Sequence, residues 1–158
     1  MGIFDKLISD ACGTILDPLK IIGDFALASN GAGYVMTSRE TGQTVGDWTS
    51  KGYPFFSGTG AYSVDVDIPE RYVGGKLFLE VECGEDVLEV SVNGGPVHVQ
   101  PWAPYRIDVS SLVHAGSNQF TIKVTNTLIN ILEGVQHRSG LLEPPRLVHA
   151  HRYELSVQ

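Results

Sequence analysis

Ala61-Tyr62-Ser63-Val64-Asp65-Val66-Asp67-Ile68 is the stretch that decides the fold. Tyr62, Val64, Val66 and Ile68 alternate with Ser63, Asp65 and Asp67. A period of two puts the first set on one side of an extended chain and the second on the other. One side is apolar and the other wet, the pattern of a half-buried antiparallel strand. Pro69 ends it, because proline has no N–H to give a ladder, and Gly74-Gly75 turns the chain.

The alternation recurs downstream. Leu77, Leu79, Val81 and Cys83 form one inward set, and Leu88, Val90 and Val92 form the next, opposite in facing to Glu89 and Ser91. Asn93-Gly94 marks a hairpin turn, since both residues accept positive φ. Phe120, Ile122 and Val124 alternate with Thr121, Lys123 and Thr125 after the turn at Gly116-Ser117-Asn118. Shorter strands are predicted over 21–27, 34–37 and 106–109, with a turn at 29–33 and a polar loop at 42–47. A final strand is predicted over 146–157, where Leu147, His149, His151, Tyr153, Leu155 and Val157 share a face. Phe4, Leu7 and Ile8 recur at helical spacing, so residues 3–10 read as a short helical lead-in, broken at Gly13 and Pro18. Many short strands without helices between them predict an all-β protein. The expected architecture is an antiparallel β-sandwich of jelly-roll type at 21–158, preceded by a lead-in or linker at 1–20.

Composition agrees. The chain has 158 residues, 42% of them hydrophobic, enough for one core, and its 18 glycines fit a turn-rich β protein. Eleven basic against 18 acidic residues give a net charge of −7. There is no Lys/Arg cluster, so no nucleic-acid partner is expected. No apolar run approaches the ~20 residues of a membrane span, and no membrane partner is expected. Met1 to Lys6 lacks the charged-then-apolar order of a signal peptide. A cytoplasmic protein or a module from a longer chain both fit, and the compartment stays open. Cys12 and Cys83 read as two buried thiols, with a single disulfide between them as the alternative.

Four groups of residues in order carry a family resemblance. The first is Gly46-Asp47-Trp48-Thr49 with Gly52-Tyr53-Pro54-Phe55-Phe56-Ser57-Gly58-Thr59-Gly60. The second is Val92-Asn93-Gly94 with Trp102-Ala103-Pro104-Tyr105-Arg106-Ile107-Asp108-Val109. The third is Gly116-Ser117-Asn118 with Val124-Thr125-Asn126-Thr127-Leu128, and the fourth is Gly140-Leu141-Leu142-Glu143-Pro144-Pro145-Arg146-Leu147. Over roughly residues 20–150 the chain resembles the galactose-binding-like jelly-roll domains of multidomain glycoside hydrolases. The family 2 sugar-binding domain is the broad relative, and the accessory domain of enzymes related to the family 106 rhamnosidases is nearer. One departure is Glu143, where the family often has a second glycine. In such enzymes catalysis belongs to a separate barrel, which needs about 250 residues. The resemblance therefore implies an accessory, carbohydrate-binding module with a catalytic domain as its partner, and not a complete hydrolase.

Sugar recognition needs flat aromatic faces for the C–H side of a ring and planar polar groups for its hydroxyls. Trp48, Tyr53 and Trp102 lie in predicted loops and are candidate stacking platforms, with Asp47 beside Trp48. The alternative for each aromatic is a place in the core, and for Phe55, Phe56 and Tyr105 that alternative is preferred. The segment 126–139 is rich in hydroxyl-recognising types, among which His137 and Arg138 are favoured. Asn126 reads as a turn cap, both by its residue type and by the resemblance. His149 and His151 share a face, but a zinc site needs a third and usually a fourth ligand that nothing in the sequence marks. No cofactor is expected. Structural calcium, which the resemblance permits, is left unassigned because no acidic loop has ligand-like spacing. No carboxylate pair stands out as a hydrolytic one, although Asp47 is the acid to inspect first. The expected ligand is an oligo- or polysaccharide. The competing expectation is a structural sandwich that packs on a catalytic barrel and binds nothing.

Overall fold

The computed structural model describes residues 21–39, 42 and 45–150. Among these residues there are nine strands: β1 (Ala26–Ser29), β2 (Tyr34–Thr37), β3 (Thr59–Ile68), β4 (Lys76–Glu80), β5 (Val87–Val92), β6 (His98–Gln100), β7 (Arg106–Asp108), β8 (Gly116–Thr125) and β9 (Arg146–Ala150). They form an antiparallel four-stranded sheet, β3-β8-β5-β6, an antiparallel three-stranded sheet, β7-β4-β9, and the hairpin β1-β2. The chain is an all-β sandwich, as the alternation predicts.

The register explains the core. Val90 lies opposite Ile122 and Ile122 opposite Tyr62, so one face of the larger sheet collects Leu88, Val90, Val92, Phe120, Ile122 and Val124. All six are buried, and they meet Leu77, Leu79 and Ile107 of the smaller sheet. Each such side chain contributes about 1.5–3 kcal/mol when it leaves water. Edge strand β3 is covered incompletely. Its inward Val64 keeps 47% of its surface exposed.

Asn93 and Gly94 have φ of 53° and 68°, the left-handed pair that the Asn-Gly turn requires. Asn93 also ties two turns together. Its Oδ1 accepts the Gln119 N–H, and its Nδ2 donates to the Leu112 carbonyl and to Asn118 Oδ1. Asn118 is buried, but all of its polar atoms are partnered, by Asn93, the His114 N–H and carbonyl, and the Gly116 carbonyl. A satisfied amide of this kind is tolerated inside a core.

Three expectations need adjusting. The first strand is predicted over 21–27 but runs Ala26–Ser29, and Ile21 and Ile22 are 65% and 84% exposed. Those two apolar residues have no alternating neighbours to bring them to a core. β7 ends at Asp108, one residue earlier than predicted. Residues 129–132, expected as irregular loop, form a one-turn helix, α1 (Ile129–Leu132). β9 covers the first part of the predicted last strand. Its continuation, the lead-in 1–20, Cys12 and His151 lie outside the described residues.

Candidate functional site

The strand registers bring four loops to one end of the sandwich. In the larger sheet Thr59 lies opposite Thr125, Thr125 opposite Val87, and Leu88 opposite Gln100. In the smaller sheet Glu80 lies opposite both Arg106 and Arg146. The segments 45–58, 81–86, 101–105 and 126–145 therefore emerge together. All six sequence-predicted site residues, Asp47, Trp48, Tyr53, Trp102, His137 and Arg138, sit in three of these loops. Hairpin β1-β2 is attached at the same end. The Leu27 N–H donates to the Gly52 carbonyl, and the Tyr34 ring meets the Phe55 ring edge-on at 5.3 Å.

Trp48 goes to the core. It is 3% exposed, and its Nε1 donates to the Tyr62 hydroxyl at 2.6 Å. Phe56 meets it edge-on at 5.3 Å. Gly60 and Gly140 lie so close to its indole that a Cβ on either would fall 2.4 Å from a ring atom. The large aromatic fills the end of the sandwich, so its faces are not open to a sugar ring. Trp102 is the opposite case. It is 71% exposed in the β6–β7 loop, where Gln100 Nε2 donates to its backbone carbonyl.

Asp47 caps a 3-10 helix (Trp48–Lys51), accepting from the Thr49 N–H at 3.0 Å. The same Oδ1 accepts from the Ser139 N–H at 3.3 Å, while Arg138 Nε lies 3.8 Å from Oδ2. Arg138 is largely exposed, so this ion pair is weak. His137 is partly exposed, with Nε2 3.4 Å from a carboxylate oxygen of Glu85. Asp47, His137 and Arg138 are thus brought together, along with Glu85.

The remaining polar residues of the 126–139 segment turn inward. Asn126 Oδ1 accepts the Gly58 N–H at 2.8 Å, and its Nδ2 donates to the Phe56 carbonyl and Ser139 Oγ. Asn130 Nδ2 donates to the His137 carbonyl at 3.0 Å. Asn126, as expected, and Asn130 and Ser139 hold loops in place.

Asp86 is a residue that the sequence reading passes over. It lies in the acidic run Glu82-Cys83-Gly84-Glu85-Asp86, which looks like surface. It is 1% exposed, and its Oδ2 accepts the Gly140 N–H at 2.8 Å. Burial raises its pKa to about 6, partly offset by the Gly140 N–H, His137 and Ser139 and reinforced by Asp47. Tyr105 donates its hydroxyl to the Asp86 carbonyl. Burial likewise pushes the Tyr105 hydroxyl and the free Cys83 thiol up to about 12, so Cys83 is an unreactive core thiol. A raised carboxyl pKa near a second acid is a signature of acid–base sites. Asp86, however, is sealed from solvent and turned toward backbone, so its shift follows from burial. Among the described residues no three His, Cys, Asp or Glu side chains converge as a metal site, and no helix is long and apolar enough to cross a membrane.

Two surface clefts are notable among the described residues. One, of about 360 Å³, lies between Val66, Ile68, Tyr72, Leu77, Leu147 and His149 at the far end from the four loops. The other, of about 630 Å³, lies between hairpin β1-β2 and the turn 50–53. Tyr53 is half-buried in its wall.

No family model matches the chain. A Formosa agariphila protein named "Putative beta-glucuronidase" is 34% identical over 87 residues, which are 54% of this chain and 8% of that protein. The rhamnosidase from Novosphingobium sp. PP1Y superposes with a TM-score of 0.58 at 26% identity, covering 80% of this chain and 14% of the enzyme. Beta-glucuronidase 2 from Bacteroides uniformis superposes with a TM-score of 0.54 at 15% identity, covering 72% and 14%, a likeness of fold alone. The chain is similar to glycoside hydrolase chains and spans only a small part of each of them.

Proposed function

We propose that this chain is a non-catalytic accessory domain of a larger glycoside hydrolase, of galactose-binding-like jelly-roll type, and that it holds a glycan at its loop-bearing end. The observation that carries the reading is the asymmetry of the likeness: most of this chain matches 14% of a rhamnosidase. A part of that size leaves room for a separate catalytic barrel. Trp102 is the stacking platform, because its ring is exposed at the end where the loops gather. His137, Arg138 and Asp47 supply polar groups on one patch of that end, and Tyr53 adds a half-buried aromatic wall on another. One exposed platform and a few polar contacts bind weakly, on the order of micromolar to millimolar.

A second reading, a structural domain packed on a catalytic barrel, draws support from a specific feature. Val97, Val99 and Trp102 are 56%, 59% and 71% exposed along one edge, an apolar strip that a neighbouring domain could cover. Glycan-array screening of the chain, followed by titration of each hit against Trp102→Ala, separates the two. Loss of binding with the fold retained supports the glycan-binding module. A folded chain that binds no plant, bacterial or host glycan would overturn it in favour of the structural reading.

A further inference from the structure

We propose that residues 134–140 are a pH-sensitive flap, closed over Asp86 while its carboxyl holds a proton and released, hinged at Gly134 and Gly140, as the carboxyl ionises. The device belongs to the fold and does not depend on a bound glycan. Asp86 is 1% exposed, and its Oδ2 accepts the Gly140 N–H at 2.8 Å. Ser139 also hydrogen-bonds to the carboxylate, and the charge of His137 attracts it. All three residues lie in the flap, so lifting the flap is what admits water to this carboxyl.

The groups around Asp86 leave its charge unmatched. Asp47, from the 45–58 segment, repels it. Glu82, Cys83 and Glu85 flank it in its own segment. Tyr105, from the 101–105 loop, gives its hydroxyl to the Asp86 backbone carbonyl and not to the carboxylate. His137 turns its Nε2 to Glu85 at 3.4 Å, and Arg138 lies 3.8 Å from Asp47. Among the described residues no Lys, Arg or His forms an ion pair with Asp86. A buried carboxylate in that position loses its hydration without a compensating cation.

The flap itself is lightly held. Leu132 to Gln136 are exposed, and among the described residues no backbone–backbone hydrogen bond reaches 134–138. Gly134 and Gly140 have φ of 64° and 101° and bracket the segment, and hinges are a few such loop positions that absorb a backbone rotation. The remaining holds are mostly single side-chain bonds. Asn130 Nδ2 donates to the His137 carbonyl at 3.0 Å, the Ser139 N–H donates to Asp47 Oδ1 at 3.3 Å, Asn126 Nδ2 donates to Ser139 Oγ at 3.1 Å, and Gln136 Nε2 donates to the Tyr34 hydroxyl. The Trp48 N–H adds one backbone bond to the Ser139 carbonyl at 3.0 Å. Segments held in this way open locally at less cost than the whole fold.

Linkage sets the direction. Covered, Asp86 has a pKa of about 6, and in water it returns toward the ordinary 3.8. The closed flap therefore binds the proton more tightly than the open one. That advantage is complete below about pH 4 and is lost as pH rises through 6. The closed flap sets His137 and Arg138 beside Glu85 and Asp47, so this polar patch is most firmly assembled in mild acid and loosens toward neutrality.

The test is amide hydrogen exchange of the 158-residue chain at pH 5 and pH 7, without urea and in low urea, with rates corrected for the intrinsic effect of pH. The Ser139 and Gly140 amides are expected to exchange by a local opening that low urea does not accelerate, because little surface is exposed. Their protection should be about tenfold lower at pH 7 than at pH 5, the ratio that pKa values of 3.8 and about 6 require. Asp86→Asn cannot ionise and keeps an acceptor for Gly140, so its protection at both amides should stay level between the two pH values. Exchange at Ser139 and Gly140 with the same urea dependence as the buried Ile122 amide would show that they open only with the whole fold, and would overturn the flap. Amides already unprotected at pH 5, equal protection at both pH values, or a tenfold fall that survives Asp86→Asn would overturn it as well. The urea and pH comparisons on the parent chain decide the matter even where the variant does not fold.

Discussion

Trp48 occupies the space that a side chain on Gly140 would need: a Cβ there would fall 2.4 Å from Trp48 Nε1. Gly140 also has φ of 101°, a conformation that L side chains rarely adopt. Two residues 92 positions apart are thus fitted to one another, and the Trp48 N–H donates to the Ser139 carbonyl beside the contact.

Gly140→Ala is expected to destabilise the fold by about 2–4 kcal/mol, combining overpacking with backbone strain. Gly74→Ala is the control. Its φ of 82° is similar, but a Cβ there meets nothing within 4 Å, so only the backbone cost of about 1–2 kcal/mol remains. Urea midpoints of the two variants measure the difference. Equal losses would mean that the indole yields to the methyl group.

Asp86 makes stability depend on pH. Its folded pKa of about 6 exceeds the ordinary value of 3.8, so the native state binds the proton more tightly than the unfolded chain. That contribution is complete below about pH 4 and is lost as pH rises toward 6. Asp86→Asn removes the cost of a buried charge and keeps an acceptor for the Gly140 N–H. The variant is expected to be about 1–3 kcal/mol more stable than the parent at pH 7 and level with it at pH 4. Thermal melts across that range decide the matter. A constant offset at all pH values would show that Asp86 does not titrate there.

The two tryptophans should separate cleanly. Trp48→Ala is expected to cost about 3–5 kcal/mol, as for a large aromatic taken from a core. Trp102→Ala should fall within about 0.5 kcal/mol of the parent, because the ring is exposed. In single-tryptophan proteins made with Phe, acrylamide should quench Trp102 strongly and Trp48 weakly. Comparable quenching would place the Trp48 indole at the surface.

Asn126 holds the 56–58 and 139 segments through three side-chain hydrogen bonds. Asn126→Ala strands the Gly58 N–H and the Phe56 carbonyl, and a loss of about 2–4 kcal/mol is expected. Hydrogen exchange at the Gly58 amide reports the same bond locally. Unchanged protection at Gly58 in the variant would contradict the assignment.

The sandwich was legible where periodicity and burial coincide. Leu88, Val90 and Val92, and Phe120, Ile122 and Val124, alternate in the sequence and are buried in the fold. Asn93-Gly94 announces its own backbone. The start of β1 was not legible, because Ile21 and Ile22 carry hydrophobicity without a period. The candidate site was half legible. Residue type brought Asp47, His137, Arg138 and Trp102 forward, and the registers placed them at one end. The fate of Trp48 depends on Gly60 and Gly140, and the burial of Asp86 on Gly140 and Tyr105. A sequence read locally marks those glycines as flexible, but it does not reveal which distant side chain fills the space they leave.

The Trp48 slot has a consequence for how this domain can be dissected. One wall of the slot comes from Gly60 and the other from Gly140, so the tryptophan stays uncovered until nearly the whole sandwich has been assembled. A fragment that stops short of residue 140 would carry every strand of the larger sheet and still display an open indole. Expression boundaries for this domain therefore belong beyond β9, and a stop introduced between β8 and Gly140 would create a sticky, half-closed sandwich out of otherwise sound strands.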